Sequence, residues 1–279
     1  MAIVSFWNRE KVESGKTLSM AAIGTYMAIH NNSKVLMIST QFNDTTLNDC
    51  FIEPNKEDVI SEITANKPEI DTGIEGLAKA VLSNKSTPDI ITNYTKIIFK
   101  DRLEILLSPK TTNYEEYTKI ASTYKDIAQF ANKHYDMVLV DLENGTNLQF
   151  LNQVISVSDL VAYHFSQKQK MIDQVGKLKA ENPESFKSLL LCMGRYDLSS
   201  KYSTKNVARA LGTKRDVIAI PYNMLYAEAA GEGKVADYFI KYNGKLSDPT
   251  DRNTIFIQGV MEAVENINYR LQEIQQMRY

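Results

Sequence analysis

Four consecutive residues near the start of the sequence, Ser14, Gly15, Lys16 and Thr17, could bind phosphate. A loop that ends in Gly-Lys-Thr can direct backbone N–H groups at phosphate oxygens. Its lysine can reach the β and γ phosphates of a nucleotide, and its threonine hydroxyl can ligate Mg²⁺. Asp141 is the second candidate metal ligand, because the four apolar residues before it predict a buried strand that ends in a carboxylate. A chance tripeptide at an ordinary helix start is the alternative interpretation of Gly-Lys-Thr.

The elements around this loop have the order that a phosphate site needs. Residues 2–7 form an apolar run that predicts a buried strand, and residues 18–29 have the apolar spacing of a helix. A second strand is predicted over residues 34–40 and is followed by Gln41. A glutamine can orient an attacking water without acting as a base, whereas the alternative is a polar residue that merely ends a strand. Asp44 is a weaker candidate for a catalytic carboxylate.

The rest of the chain alternates between helical and extended patterns. We predict a strand pair over residues 95–99 and 103–107, with the first strand at the sheet edge and the second in its centre, and a long helix over residues 114–133. The remaining predictions are helices over 57–65, 73–82, 167–180 and 254–277, and strands over 137–141, 158–165, 188–193 and 217–223. This order predicts an α/β fold with a doubly wound, mostly parallel sheet and helices on both faces, in a single domain spanning residues 1–279.

Composition limits the classes of protein that remain. The 279 residues are 43% hydrophobic and 24% charged, with a formal net charge of −2, which argues against a uniformly basic nucleic-acid binder. Two cysteines, Cys50 and Cys192, provide neither a disulfide framework nor a zinc spacing. The apolar runs are only as long as strands, so we expect a cytoplasmic protein without a membrane anchor.

Three stretches resemble one protein family. Lys11 precedes Lys16 by five residues, and this spacing resembles the deviant Walker A loop of the ParA/MinD family of dimerising ATPases, although Val12 and Glu13 occupy positions where the family has glycine. The stretch from Arg195 through Asp197 resembles the Arg-Tyr-Asn of MinD-like proteins. Residues 221–223, Pro-Tyr-Asn, resemble the family's loop beside the adenine.

The resemblance implies a P-loop ATPase that binds ATP and Mg²⁺ and forms a homodimer in the ATP-bound state, as in TadZ-like or plasmid-partition-like members. Hydrolysis would be slow or stimulated by a protein activator, and the switch would position or partition DNA or a macromolecular cargo complex. A hydrolysis-deficient scaffold or DNA-binding protein that retains the fold is the alternative. The implied catalytic residues are Lys11, Lys16, Gln41 and Asp141. The implied nucleotide-binding residues are Ser14, Gly15, Lys16, Thr17, Arg195, Pro221, Tyr222 and Asn223, with Thr17 and Asp141 at the metal.

Basic residues are concentrated between residues 194 and 215, where six occur against the single acid Asp197. If Ser203 caps a helix, three of them recur on one face. A solvated helix face and a contact surface for the DNA backbone explain this pattern equally well. The DNA-binding candidates are Lys201, Lys205, Arg209, Lys214 and Arg215.

Overall fold

The computed structural model describes residues 1–9, 14–53, 73–83, 87–144, 148–213, 217–245 and 248–277. The described strands are β1 (Ala2–Trp7), β2 (Val35–Ser39), β3 (Thr95–Phe99), β4 (Leu103–Leu106), β5 (Met137–Asp141), β6 (Leu160–Phe165), β7 (Leu189–Tyr196) and β8 (Ile218–Pro221). The described α-helices are α1 (Lys16–His30), α2 (Thr46–Asp49), α3 (Gly73–Leu82), α4 (Tyr114–Ala121), α5 (Tyr124–Ala131), α6 (Leu148–Ile155), α7 (Gln169–Glu181), α8 (Pro183–Ser188), α9 (Thr204–Ala210), α10 (Met224–Gly231), α11 (Val235–Tyr242) and α12 (Arg252–Met277).

The strands form one eight-stranded sheet in the order β3-β4-β2-β5-β1-β6-β7-β8. Every neighbouring pair is parallel except β3 and β4, which are antiparallel. The prediction of a doubly wound, mostly parallel sheet is therefore confirmed, and so is the position of β3 as the edge partner of a hairpin. Its partner β4 lies inside the sheet, paired with β3 on one side and with β2 on the other, as the prediction of an interior strand requires.

Apolar side chains cover both faces of the sheet, which explains why the strands are almost continuously hydrophobic. On one face, Val4, Phe6 and Met37 pack in a cluster with α1, α10, α11 and α12. On the other face, Ile3 and Ile38 pack with α3, α4, α5 and α6, and the outer strands β6 and β7 are covered by α7, α8 and α9. Successive side chains along each strand therefore pack against helices on opposite faces of the sheet.

The register of the central strands places their carboxyl ends at one level. Asp141 at the end of β5 is paired with Phe6 of β1 on one side and with Ser39 of β2 on the other. The order of the strands reverses at β1, since β2 and β6 lie on opposite sides of it. Ligands of such sheets bind outside the carboxyl ends of the strands at this reversal, and this is where the site residues converge.

The long helix predicted over residues 114–133 is wrong, because the chain breaks between α4 and α5. The Ser122 hydroxyl donates to the Lys119 carbonyl at 2.6 Å, and the Thr123 hydroxyl donates to the Ile120 carbonyl at 2.7 Å. Adjacent serine and threonine hydroxyls that bond backward to the backbone compete with the helical pattern. The periodic apolar positions nevertheless continue into α5 because both helices pack on the same face of the sheet.

The strand predicted over residues 188–193 continues as far as Tyr196, and the helix predicted over residues 254–277 begins two residues earlier, at Arg252. The predicted helix over residues 57–65 lies outside the described residues. Among the helices that the structure describes, none combines the length and the apolar character needed to cross a membrane.

Candidate functional site

The start of α1 has the backbone geometry of an anion site. Gly15 is its N-terminal flanking residue and adopts a left-handed conformation, with φ +70°, which side chains disfavour. A Cβ on Gly15 would also lie 2.7 Å from Cγ of Arg195. Lys16 and Thr17 are the first two helical residues, and their N–H groups lack intrahelical partners because of this position. The predicted turn at Gly-Lys-Thr therefore leads directly into a helix N-terminus.

The Lys16 ammonium is buried, with only 4% of the residue exposed, at the carboxyl end of β5. Its Nζ lies 2.9 Å from Asp141 Oδ1 and 2.7 Å from Asn144 Oδ1, and it also donates to the Leu142 carbonyl. Burial lowers the pKa of Lys16 from its ordinary value, while the adjacent Asp141 carboxylate opposes this shift. The structure thus brings together two residues that lie 125 positions apart in the sequence.

Thr17 and Gln41 hold Asp141 from two further directions. The Thr17 hydroxyl donates to Asp141 Oδ2 at 2.6 Å, and Gln41 Nε2 donates to Asp141 Oδ1 at 3.3 Å. Gln41 Nε2 also donates to the Leu142 carbonyl at 2.7 Å. A hydroxyl and a carboxylate at this separation are hard oxygen donors of the kind that Mg²⁺ uses. Thr17 and Asp141 therefore fit the metal-ligand roles that the sequence predicts for them.

A pocket of about 410 Å³ opens over this cluster. Lys16 and Thr17 from the start of α1 line it, together with Pro221, the last residue of β8, and Tyr222 directly after it. Asp44 also contributes to the lining, so the weaker carboxylate candidate does reach the pocket. The volume falls in the range of small-molecule sites, and the lining combines charged groups with apolar and aromatic groups.

Arg195 and Tyr222 contact each other in the lining of this pocket. The guanidinium carbon of Arg195 lies 5.6 Å from the centroid of the Tyr222 ring, within cation–π distance. Arg195 has φ 51°, a left-handed conformation that is uncommon for a residue with a side chain, at the end of β7. The carboxyl ends of β7 and β8 thus place both predicted nucleotide-binding residues beside the pocket.

Asn223 lines the pocket, but its side chain forms hydrogen bonds within the protein. Its Oδ1 accepts from the Tyr226 backbone N–H at 2.9 Å and caps α10, while its Nδ2 donates to the Arg252 carbonyl at 3.1 Å and to Asn253 Oδ1 at 3.0 Å. Asn223 therefore fixes the start of α10 and joins it to the start of α12.

Ser14 and Gly194 form a contact that the sequence analysis missed. The Ser14 hydroxyl accepts from Asn8 Nδ2 at 3.1 Å, and a Cβ on Gly194 would lie 2.0 Å from the Ser14 carbonyl oxygen. The backbones of β7 and of the phosphate loop therefore touch. A glycine inside a strand often marks such a close approach, but Gly194 lies beyond the strand that the apolar pattern predicts over residues 188–193, so the pattern did not indicate this contact.

The basic residues between 194 and 215 fall into two groups. Ser203 caps α9 through its hydroxyl, which accepts from the Asn206 N–H at 3.3 Å, so the predicted cap is confirmed. Lys201, Lys205 and Arg209 are all exposed to solvent. Lys214 and Arg215 lie outside the described residues, as does Lys11 of the phosphate loop.

Comparison with known proteins gives structural matches only. No protein-family model and no curated protein matches the sequence. A ParA family ATPase from Chlorobium tepidum matches with a TM-score of 0.68 at 14% identity, covering 92% of this chain and 96% of that chain.

Two further solved structures carry a nucleotide. The septum site-determining protein MinD from Pyrococcus horikoshii, complexed with Mg-ADP, matches with a TM-score of 0.66 at 15% identity, covering 96% of this chain and 97% of that one. A plasmid partition protein from Borrelia burgdorferi, bound to AMPPNP, matches with a TM-score of 0.59 at 14% identity, covering 100% and 99%. The eight-stranded sheet and its helices therefore have the fold of the ParA and MinD ATPases.

Proposed function

We propose that this protein is a cytoplasmic ATP-binding switch that dimerises with ATP, hydrolyses it slowly or with a partner's help, and positions or partitions DNA or a macromolecular assembly. The observation that carries the proposal is that Lys16 and Thr17, which line one pocket at the carboxyl edge of a ParA/MinD-type sheet, both contact the buried Asp141 carboxylate beneath it. In this proposal the whole chain is one ATPase unit.

The charged and polar residues of the pocket lining suit a triphosphate. The free N–H groups at the start of α1 and the positive end of its dipole favour bound anions. Thr17 and Asp141 would hold Mg²⁺, which when bound would neutralise charge on the phosphate oxygens. Ser14 and Gly15 would supply backbone donors, and Lys16 would supply a cation once it turns toward the phosphates.

The apolar and aromatic residues of the lining suit a nucleoside. Pro221 and Tyr222 offer apolar and aromatic surface, and Arg195 stands over the Tyr222 ring. Asn223 would act by holding the loop in place, since its side-chain hydrogen bonds are made within the protein. Thr17 and Tyr222 line the same pocket of about 410 Å³, so phosphates and base would occupy one cavity.

The dimer and the cargo are proposed from the fold. The structural matches include proteins described as septum site-determining and as plasmid partition proteins. In a dimer, Lys11 would reach the phosphates of the partner subunit, as the resemblance implies. Lys201, Lys205 and Arg209 are exposed and available to contact a DNA backbone, and Lys214 and Arg215 would extend that surface.

The test is nucleotide binding by calorimetry with Mg²⁺, combined with light scattering on the same samples. We expect micromolar ATP binding and a shift from monomer to dimer in the wild type, and loss of both in Lys16→Ala and Thr17→Ala. Lys177→Ala, which changes an exposed lysine on α7, is the matched control and should behave like the wild type. Absence of binding by the wild type at millimolar ATP would refute the proposed switch.

The second candidate is a scaffold that retains the fold without hydrolysing ATP. The observation in its favour is that the Gln41 amide, the candidate for orienting water, is bonded to Asp141 and Leu142 instead. A single-turnover measurement separates the candidates: product formation with DNA or a protein activator supports the switch, whereas dimerisation with ATP without product supports the scaffold.

A further inference from the structure

The Lys16 ammonium has no donor left for a phosphate. An ammonium carries three N–H donors and no acceptor. In this structure Nζ contacts three oxygens, which are Oδ1 of Asp141, Oδ1 of Asn144 and the carbonyl oxygen of Leu142. A phosphate that binds Lys16 must therefore displace at least one of them.

Gln41 holds the same three residues in place. Its Nε2 donates to the Leu142 carbonyl at 2.7 Å and to Asp141 Oδ1 at 3.3 Å, and its Oε1 accepts from the Asn144 backbone N–H at 3.3 Å. Gln41 is itself buried, with 4% of its surface exposed. The side chain that follows β2 thus clamps the segment that follows β5.

We propose that Lys16, Gln41 and Asn144 form an autoinhibitory latch that closes the phosphate site, and that a polyphosphate opens it by taking Lys16 away from residues 142 and 144. This inference rests on the proposed function and adds a means of regulation to it. Asp141 stays in place because the Thr17 hydroxyl holds its second oxygen. Asn144 is the residue that moves away from Lys16 when the latch opens, because it is partly exposed and the hydrogen bond from its backbone N–H to Gln41 is long.

A second anchor confines the movement to a short segment. The Glu143 backbone N–H donates to the Thr40 hydroxyl at 2.9 Å, and Glu143 Oε2 lies 2.8 Å from the Tyr117 hydroxyl on α4. Tyr117 also donates to the Thr40 carbonyl at 2.7 Å. Removing the Asn144 side chain therefore leaves the segment attached to β2 and α4, so Asn144→Ala weakens the latch without releasing the fold.

The decisive variant is Asn144→Ala, with Asn206→Ala as the matched control. Asn206 also uses its side-chain amide for one hydrogen bond, to the Lys201 carbonyl, but it lies on α9 at the surface. In the wild type, ATP must break the Lys16–Asn144 hydrogen bond before Lys16 can bind phosphate, and this weakens the affinity. Asn144→Ala removes that bond, so we expect it to bind Mg-ATP about tenfold more tightly, which corresponds to about 1.4 kcal/mol. The control should bind like the wild type. Unchanged or weaker binding by Asn144→Ala would overturn the latch.

A second measurement needs no nucleotide. Labelling of lysines by a small amine-reactive ester, read by mass spectrometry, reports how far Lys16 is accessible. We expect faster labelling of Lys16 in Asn144→Ala than in the wild type, with unchanged labelling of the exposed Lys177. Equal rates at Lys16 would contradict the latch. Faster labelling together with no ATP binding by either protein would support the latch as a closure of the site and refute the proposed nucleotide switch.

Discussion

The contact between β7 and the phosphate loop leaves less room for a side chain at Gly194 than at any other glycine that the structure describes. A Cβ at this position would lie 2.0 Å from the Ser14 carbonyl oxygen and 3.3 Å from Ser19 Oγ. Cβ atoms essentially never approach another heavy atom closer than 3.0 Å, so the Gly194→Ala variant must separate the two backbones by about 1 Å. Both partners are backbone, and neither can move without shifting a strand or the start of α1.

The expected cost follows from this displacement. Overpacking a well-packed site typically lowers the free energy of unfolding by about 1–3 kcal/mol. A shift of about 1 Å at Ser14 would also misalign at least one N–H group with a phosphate oxygen. A charge-assisted hydrogen bond is worth about 1.5–3 kcal/mol, so we expect Mg-ATP binding to weaken by roughly 10- to 100-fold.

Chemical unfolding and calorimetric titration of the same preparations measure the two effects. Gly231→Ala is the control, because a Cβ on Gly231 has no heavy atom within 4 Å and the residue is exposed at the end of helix α10. This control should be as stable as the wild type or slightly more so, since alanine favours a helix over glycine, and it should bind nucleotide normally. If Gly194→Ala unfolds at the wild-type denaturant concentration and binds ATP with the wild-type affinity, the reasoning from the close contact is refuted.

Three further predictions concern pH, stability and DNA. Burial is the main reason that the pKa of His164 is lowered to about 3. Between pH 6.5 and 3 the imidazole is therefore protonated in the unfolded chain but neutral in the native state. The free energy of unfolding should therefore fall by up to about 1.4 kcal/mol per pH unit as the pH drops through this window. His164→Leu should lower that slope by about one proton in urea titrations, and an unchanged slope would contradict the assignment. Asn223→Ala removes the cap on the Tyr226 N–H and should lower the free energy of unfolding by about 1–2 kcal/mol, whereas a loss under 0.5 kcal/mol would show that the cap contributes little. Neutralising Lys205 and Arg209 together should weaken binding to unrelated duplexes and reduce the salt slope by about two, and an unaltered slope in a salt titration would remove these residues from the DNA surface.

Local sequence patterns predicted much of the fold because the elements that build the sheet are strongly apolar. The strand over residues 2–7 and the edge hairpin at 95–99 lie where the patterns predicted them. The helix over residues 114–133 failed because hydroxyl groups at Ser122 and Thr123 bond to the preceding turn, a competition that periodicity alone does not reveal. The strand ending at Tyr196 is longer than predicted because pairing with β8 continues past the apolar run.

The sequence by itself determined the types of chemical group available: an ammonium and a hydroxyl after a glycine, and a carboxylate after a buried strand. Tertiary structure decided how these groups are used. The parallel register brings Asp141 level with the ends of β1 and β2, where Lys16 and Gln41 reach the same oxygen, Oδ1. Sequence spacing does not encode such distances, because they are set by hydrogen bonds between strands that are far apart in the chain. Burial then excludes water, so the oxygens of Asp141 and Leu142 must take their hydrogen bonds from nearby side chains such as Lys16 and Gln41.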